Sequence, residues 1–198
     1  MGGMSAAQGR RDQAVPAVTA ASLDRAALRY LERYASSGAN LRRVLMRRVE
    51  RAVYAGAMER DEGARLVDAL IERYVAAGLL DDKNYAEHKA ASLVRAGRSR
   101  YRIRGMLRQK GVAPDQVEDA IAGLDGDADA SERVAAGALI RRRRLGPYRA
   151  KAERASFLRK DLAALSRAGF ALDLALRLLR APDPEALDKL VRDVEGEE

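Results

Sequence analysis

Apolar residues recur at spacings of three and four along most of this 198-residue chain. Leu28, Leu31, Leu41, Leu45 and Val49 follow that spacing and its multiples. So do Leu66, Leu70, Ile71 and Tyr74, and then Ile103, Met106 and Leu107. This is the signature of helices with one buried face. No stretch alternates apolar and polar residues long enough to make a strand, so the pattern predicts an all-α fold. Gly38, Gly78, Gly97, Gly111 and Gly169 stand where helices are expected to stop, as C-terminal caps do. Pro114, followed by Asp115, suits the first turn of a helix. Residues 1–21 mix Gly, Ala, Gln, Arg and Pro without periodicity and are expected to be a disordered tail.

Aligning the helix stops exposes a repeat. Leu107, Gly111-Val112, Val117 and Ile121 superpose without a gap on Leu165, Gly169-Phe170, Ala175 and Leu179. Leu45, Val67 and Ile71 match the same pattern once a twelve-residue insertion within residues 53–65 is allowed. The expected organisation is a tandem array of three three-helix units at residues 22–80, 81–126 and 127–181, stacked into an elongated whole. After Pro182-Asp183-Pro184 a short capped helix can follow, before an acidic end in which residues 182–198 hold seven acids against Lys189 and Arg192.

Charge changes the picture from a generic helical array to a binding protein. The net charge is +8 and the isoelectric point about 10.0. That balance favours an anionic partner, nucleic acid first and an acidic protein second. Cysteine is absent, which excludes disulfides and thiolate metal sites and suits a reducing cytoplasm. There is no apolar leader near the start and no uninterrupted apolar run long enough to cross a membrane. The chain is therefore expected to be cytoplasmic and, with no dimer seam in its pattern, monomeric.

The charge is also unevenly placed. From residue 95 to 110 there are seven Arg/Lys and no acid, whereas residues 111–129 hold six acids and no Lys or Arg. Arg98, Arg100, Arg102, Arg104, Arg108 and Lys110 form the first basic set, and Arg100, Arg104 and Arg108 stand at i, i+4 and i+8 beside the apolar stripe. Like charges at that spacing repel by roughly 0.2–0.5 kcal/mol per pair, and no acid is interleaved to relieve them. A solvated face is the ordinary fate of such a surface; the unrelieved repulsion favours a binding ridge. Arg141, Arg142, Arg143 and Arg144, with Arg149, form a second set, more than a helix C-terminus needs for its dipole. Arg42, Arg43 and Arg47 lead a third.

Catalytic chemistry finds no support. Asp81-Asp82 opens an apolar-periodic segment and reads as an N-cap with a dipole-favourable neighbour, at the joint between the first two units. His88 is the single histidine, without partners for a metal or a triad. There is no glycine-rich phosphate loop. Tyr30, Tyr34, Tyr74, Tyr85 and Tyr101 fall at helical positions and read as core rather than as base-stacking platforms. No enzyme activity, cofactor or metal is expected.

Two motifs, taken in order, carry a family resemblance. Gly78-Leu79-Leu80-Asp81-Asp82-x-x-Tyr85-Ala86 is followed by Arg102-Ile103 and then Leu107-x-x-Lys110-Gly111-Val112. This resembles the RecX family, whose members show G-L-L-D-D-x-x-F-A and then R-x-I-x-x-x-L-x-x-K-G-V; Tyr85 stands in place of the usual Phe. The resemblance spans residues 24–181. It implies a non-catalytic regulator of the RecA recombinase that binds in the groove of the RecA–single-stranded DNA filament and limits filament extension, ATP hydrolysis and strand exchange in DNA repair. The three basic sets are its expected contacts to RecA and to single- or double-stranded DNA. Leu79, Leu80, Asp81, Asp82, Tyr85, Ile103, Leu107 and Gly111 are its structural motif. A sequence-nonspecific helical DNA-binding protein is the alternative, and a helical adaptor for an unrelated acidic protein is a weaker one.

Overall fold

The computed structural model of the chain describes residues 18–124 and 128–192. These are all-α: among the described residues there is no strand. The helices are α1 (Ala20–Leu31), α2 (Gly38–Tyr54), α3 (Arg60–Ala76), α4 (Asp82–Arg95) and α5 (Arg100–Gln109). They continue with α6 (Pro114–Ala122), α7 (Ala128–Arg143), α8 (Arg154–Arg167), α9 (Leu172–Leu179) and α10 (Pro184–Arg192). Two short 3₁₀ turns, Gly146–Tyr148 and Lys151–Glu153, lie between α7 and α8. Of the expected N-terminal tail, residues 1–17 lie outside the described residues, and Ala20 and Ala21 belong to α1. Thr19 and Ser22 explain the earlier start. The Ser22 amide donates to Thr19 Oγ1 at 3.2 Å and the Thr19 amide to Ser22 Oγ at 2.9 Å, a closed capping box.

One device ends six of these helices. Gly56, Gly78, Gly97, Gly111 and Gly169 have positive φ, and the residue after each donates its amide to a carbonyl five positions back. Leu79 to Tyr74, Arg98 to Leu93, Val112 to Leu107 and Phe170 to Leu165 are examples. This is the Schellman cap, which glycine allows without a Cβ penalty. Helix α7 ends the same way, Leu145 donating to Ile140 O at 3.0 Å, but the left-handed residue is Arg144 at φ 53. Gly38 departs from expectation: it begins α2 instead of ending α1.

The fold divides into two units. The first comprises the residues up to Tyr34 together with Leu41–Leu79. Its core is Leu23, Ala26 and Ala27 of α1, Leu41, Leu45 and Val49 of α2, and Val67, Leu70 and Tyr74 of α3. Ion pairs brace it: Arg42 binds Asp68 through Nε at 2.6 Å, Arg60 binds Glu50 at 2.8 Å, and Arg73 binds Asp24.

The second unit takes Ala35–Asn40 and everything from Leu80 onward. Sequence reading places a boundary near residue 126; residues 125–127 lie outside the described residues, and the packing on either side is continuous. Leu93, Ile103, Leu107, Val117 and Ile121 share one apolar cluster with Leu139, Ile140, Leu165, Leu178 and Leu187. Both members of each pair that the repeat aligns are buried: Leu107 and Leu165, Val112 and Phe170, Val117 and Ala175, Ile121 and Leu179. Met106, expected in the stripe with Ile103 and Leu107, lies at the margin and is exposed. Helix α10 adds Leu187, fully buried, so residues 184–192 of the expected acidic tail are part of this unit, and residues 193–198 lie outside the described residues. Gly97 marks a close approach: a Cβ there would stand 2.8 Å from the Leu139 amide nitrogen, so the end of α4 lies directly against α7.

Candidate partner-binding surfaces

The paired aspartates cap two helices, one each. Asp81 is the N-cap of α4, its carboxylate accepting from the Asn84 amide at 2.9 Å. Asp82 instead accepts from the Gly38 amide at 2.7 Å, so it serves the first turn of α2. Within the same unit, Ser37 Oγ donates to Lys110 O, and Lys110 Nζ reaches Asn40 Oδ1 at 3.4 Å. The second partnership escapes sequence reading because Gly38 and Asp82 are 44 positions apart. Around them Leu80 is buried, Tyr85 packs against the core and Leu79 is exposed.

Helix α5 starts from Ser99, whose fully buried hydroxyl donates to Ala168 O at 2.7 Å and accepts from the Arg102 amide at 3.3 Å. The expected ridge along α5 is divided between three environments. Arg100 is turned inward: Nη2 donates to Ile121 O and its buried Nε has no hydrogen-bond partner. The Arg100 amide donates to Glu132 of α7 at 2.6 Å. Burial pushes the Glu132 carboxyl up, and that hydrogen bond only partly opposes it. Arg104 and Arg108 share Glu118 of α6, at 2.9 and 3.2 Å. Their hydrogen bonds and charge, Arg104 first, hold the Glu118 carboxyl below the ordinary range. The repulsion inferred along α5 is therefore relieved by an acid from the next helix, which the helix's own sequence does not contain. Arg102 is exposed and donates Nη2 to Arg167 O at 2.7 Å.

The second basic set is also split. Arg149 is structural: it forks onto Asp161 with both bonds at 2.7 Å and lies over the Phe157 ring, 4.3 Å from its centroid. Asp161 is 2% exposed and also accepts from the Gly146 amide at 3.0 Å. Burial works against the Asp161 charge, but the hydrogen bonds from Arg149 and Gly146 prevail and hold its carboxyl below the usual range. Arg141 bonds Tyr148 Oη at 3.2 Å and pairs with Asp188 of α10. Arg142 donates to Ala96 O, which sets the α4–α5 connection beside the last turns of α7. Arg98 in that connection and Arg142, Arg143 and Arg144 at the end of α7 are all exposed. Among the described residues Arg98, Arg143 and Arg144 have no ion pair and no side-chain hydrogen bond.

In the first unit Arg42 is held by Asp68, whereas Arg43 and Arg47 are exposed. The tyrosines divide too. Tyr74 is buried, but Tyr34 is 57% and Tyr101 70% exposed, so neither of these is core. Tyr34 lies beyond the last turn of α1, where helical spacing no longer decides which way a side chain faces. His88 is exposed, and among the described residues no three His, Cys, Asp or Glu are grouped to hold a metal ion. Among those residues no helix is long and apolar enough to cross a membrane.

Residues 81–121, spanning α4 to α6, match the family description "RecX, second three-helix domain". "Regulatory protein RecX" of Myxococcus xanthus is 42% identical over 158 residues, covering 79% of this chain and 83% of the relative. The protein of that name from Thermobifida fusca is 35% identical over 117 residues, 58% of this chain and 60% of its own length. That from Agrobacterium fabrum is 31% identical over 111 residues, 56% and 57% respectively. No solved structure matches the chain.

Proposed function

The chain belongs to the RecX family of regulatory proteins, and from that premise we propose that it regulates the RecA recombinase without chemistry of its own, binding in the groove of the RecA–single-stranded DNA filament. Bound there, it limits filament extension, ATP hydrolysis and strand exchange. The likeness to the Myxococcus xanthus regulator over most of both chains is the observation that carries the reading. A regulator of this kind must favour one filament state over another, since equal affinity for both shifts nothing.

The surface we assign to the filament within the second unit is the group Arg98, Arg142, Arg143 and Arg144, together with Arg102 in the first turn of α5. These side chains are exposed, and three of them have no acid or carbonyl engaged among the described residues. Arg144 adds weight. A non-glycine residue in the left-handed region costs roughly 1–2 kcal/mol, and α7 carries that cost at the one Schellman cap of the described residues that lacks glycine. Backbone strain of that size is typical of positions kept for a functional side chain. Arg100, Arg104, Arg108, Arg141 and Arg149 instead hold the unit together.

Competition between filament and naked DNA separates this reading from direct, nonspecific DNA binding. Immobilised chain is expected to retain RecA–single-stranded DNA filament at salt concentrations that already release duplex and single-stranded DNA alone, because phosphate-only binding falls steeply with salt. Release of filament and naked DNA at the same salt concentration would assign the chain to the nonspecific class.

A further inference from the structure

We infer that the first unit carries a groove for single-stranded nucleic acid, built by the end of α1 and the middle of α2, with Tyr34 as the platform for a base and the arginines around it as phosphate contacts. The groove has a volume of about 460 Å³. Tyr30, Arg33 and Tyr34 line one side, and Arg47, Arg48 and Arg51 the other. Arg29 joins them, and Glu32 is the one carboxylate in the lining. Tyr30 and Tyr34 are 5.1 Å apart between ring centroids with planes inclined by 41°. Tyr30 thus supports one side of Tyr34, while more than half of Tyr34 is open to solvent.

The chemistry of the lining selects the ligand. Five arginines against one glutamate call for a polyanion, and three acids of the same unit are engaged by other arginines: Asp24 by Arg73, Glu50 by Arg60 and Asp68 by Arg42. Among the described residues Arg29, Arg33, Arg47 and Arg48 have no ion pair and no side-chain hydrogen bond. A buttressed, outward-facing ring beside them adds what a duplex cannot use, since paired bases are already stacked on each other. Unstacked bases, by contrast, gain substantially from an aromatic face without regard to sequence. Arg47 and Arg51, one helical turn apart, follow the backbone along α2. This site is independent of the recombinase reading, because it requires neither RecA nor a filament.

The test is fluorescence anisotropy of the full chain, without recombinase, titrated against a short labelled oligothymidylate, an oligouridylate and a duplex of equal length. Single strands are expected to bind more tightly than the duplex. Tyr34→Ala should weaken single-strand binding by about tenfold or more, whereas Tyr34→Phe, which keeps the ring, should not. Arg47→Ala with Arg51→Ala should make the salt dependence shallower by about 0.7 in log–log slope per arginine removed. Tighter binding of oligothymidylate assigns the site to DNA, and tighter binding of oligouridylate to RNA; both support it. Equal binding of single strands and duplex, or oligothymidylate binding by Tyr34→Ala as tight as by the unaltered chain, overturns it. Tyr34 is exposed at a helix end, and unchanged far-ultraviolet circular dichroism of the variant checks that the fold is kept.

Discussion

Replacing Asp161 by alanine is expected to destabilise the second unit by about 3–5 kcal/mol, the range for breaking a buried ion pair by removing one partner. Three groups are stranded at once: both arms of the Arg149 fork and the Gly146 amide. Gly146 itself is buried, with Leu179 packed against it, so water cannot readily replace the missing acceptor. The double variant Asp161→Ala with Arg149→Ala should recover part of the loss, because it no longer strands a charge. Urea unfolding followed by helicity measures both, and a loss below about 1 kcal/mol for Asp161→Ala would show that the pair is not structural.

The same carboxylate predicts an acid dependence. Its native titration lies below the unfolded value of about 3.9, so its contribution is complete above that pH and disappears as pH falls through the lower native value. The chain with Asp161→Asn should therefore lose less further stability than the unaltered protein as pH falls below about 4. Glu132 works in the opposite sense: raised by burial, it favours the folded state more as pH falls, which separates its effect from that of Asp161.

The second large effect is on partner binding. Substituting Arg98, Arg143 and Arg144 together by alanine should weaken filament binding by about tenfold or more and flatten its salt dependence by about one unit of slope for each phosphate no longer neutralised. Stability should stay nearly constant, because none of the three has a partner among the described residues. Arg144→Gly alone sharpens the distinction. It relieves a left-handed residue at φ 53, so it should raise stability by about 1 kcal/mol while weakening binding. A stabilised variant with undiminished binding would reduce Arg144 to an incidental cap.

The sequence was most legible where local physics decides. Helical periodicity, and the glycines at 78, 97, 111 and 169 that need positive φ, are both written within a few residues of the feature they produce. Legibility ended where partners come from elsewhere in the chain. Glu118 neutralises Arg104 and Arg108 from a different helix, and Asp161 claims Arg149 across the turns before α8. Gly38 reads as a stop from its neighbours, yet it opens α2 because Asp82 takes its amide. Tyr34 and Tyr101 fit helical spacing but emerge at a helix end and on an open face, which periodicity alone does not distinguish from core. The arginine sets were visible as charge; their division into structural and exposed members required the acids and carbonyls of the folded units.

Regulation of the recombinase is tested most directly by the ATPase of RecA on single-stranded DNA, titrated with this chain. Suppression of ATP hydrolysis at chain concentrations well below that of RecA is the expected result, with the variant lacking Arg98, Arg143 and Arg144 requiring substantially more protein. Unchanged hydrolysis with the chain in excess over RecA would contradict it.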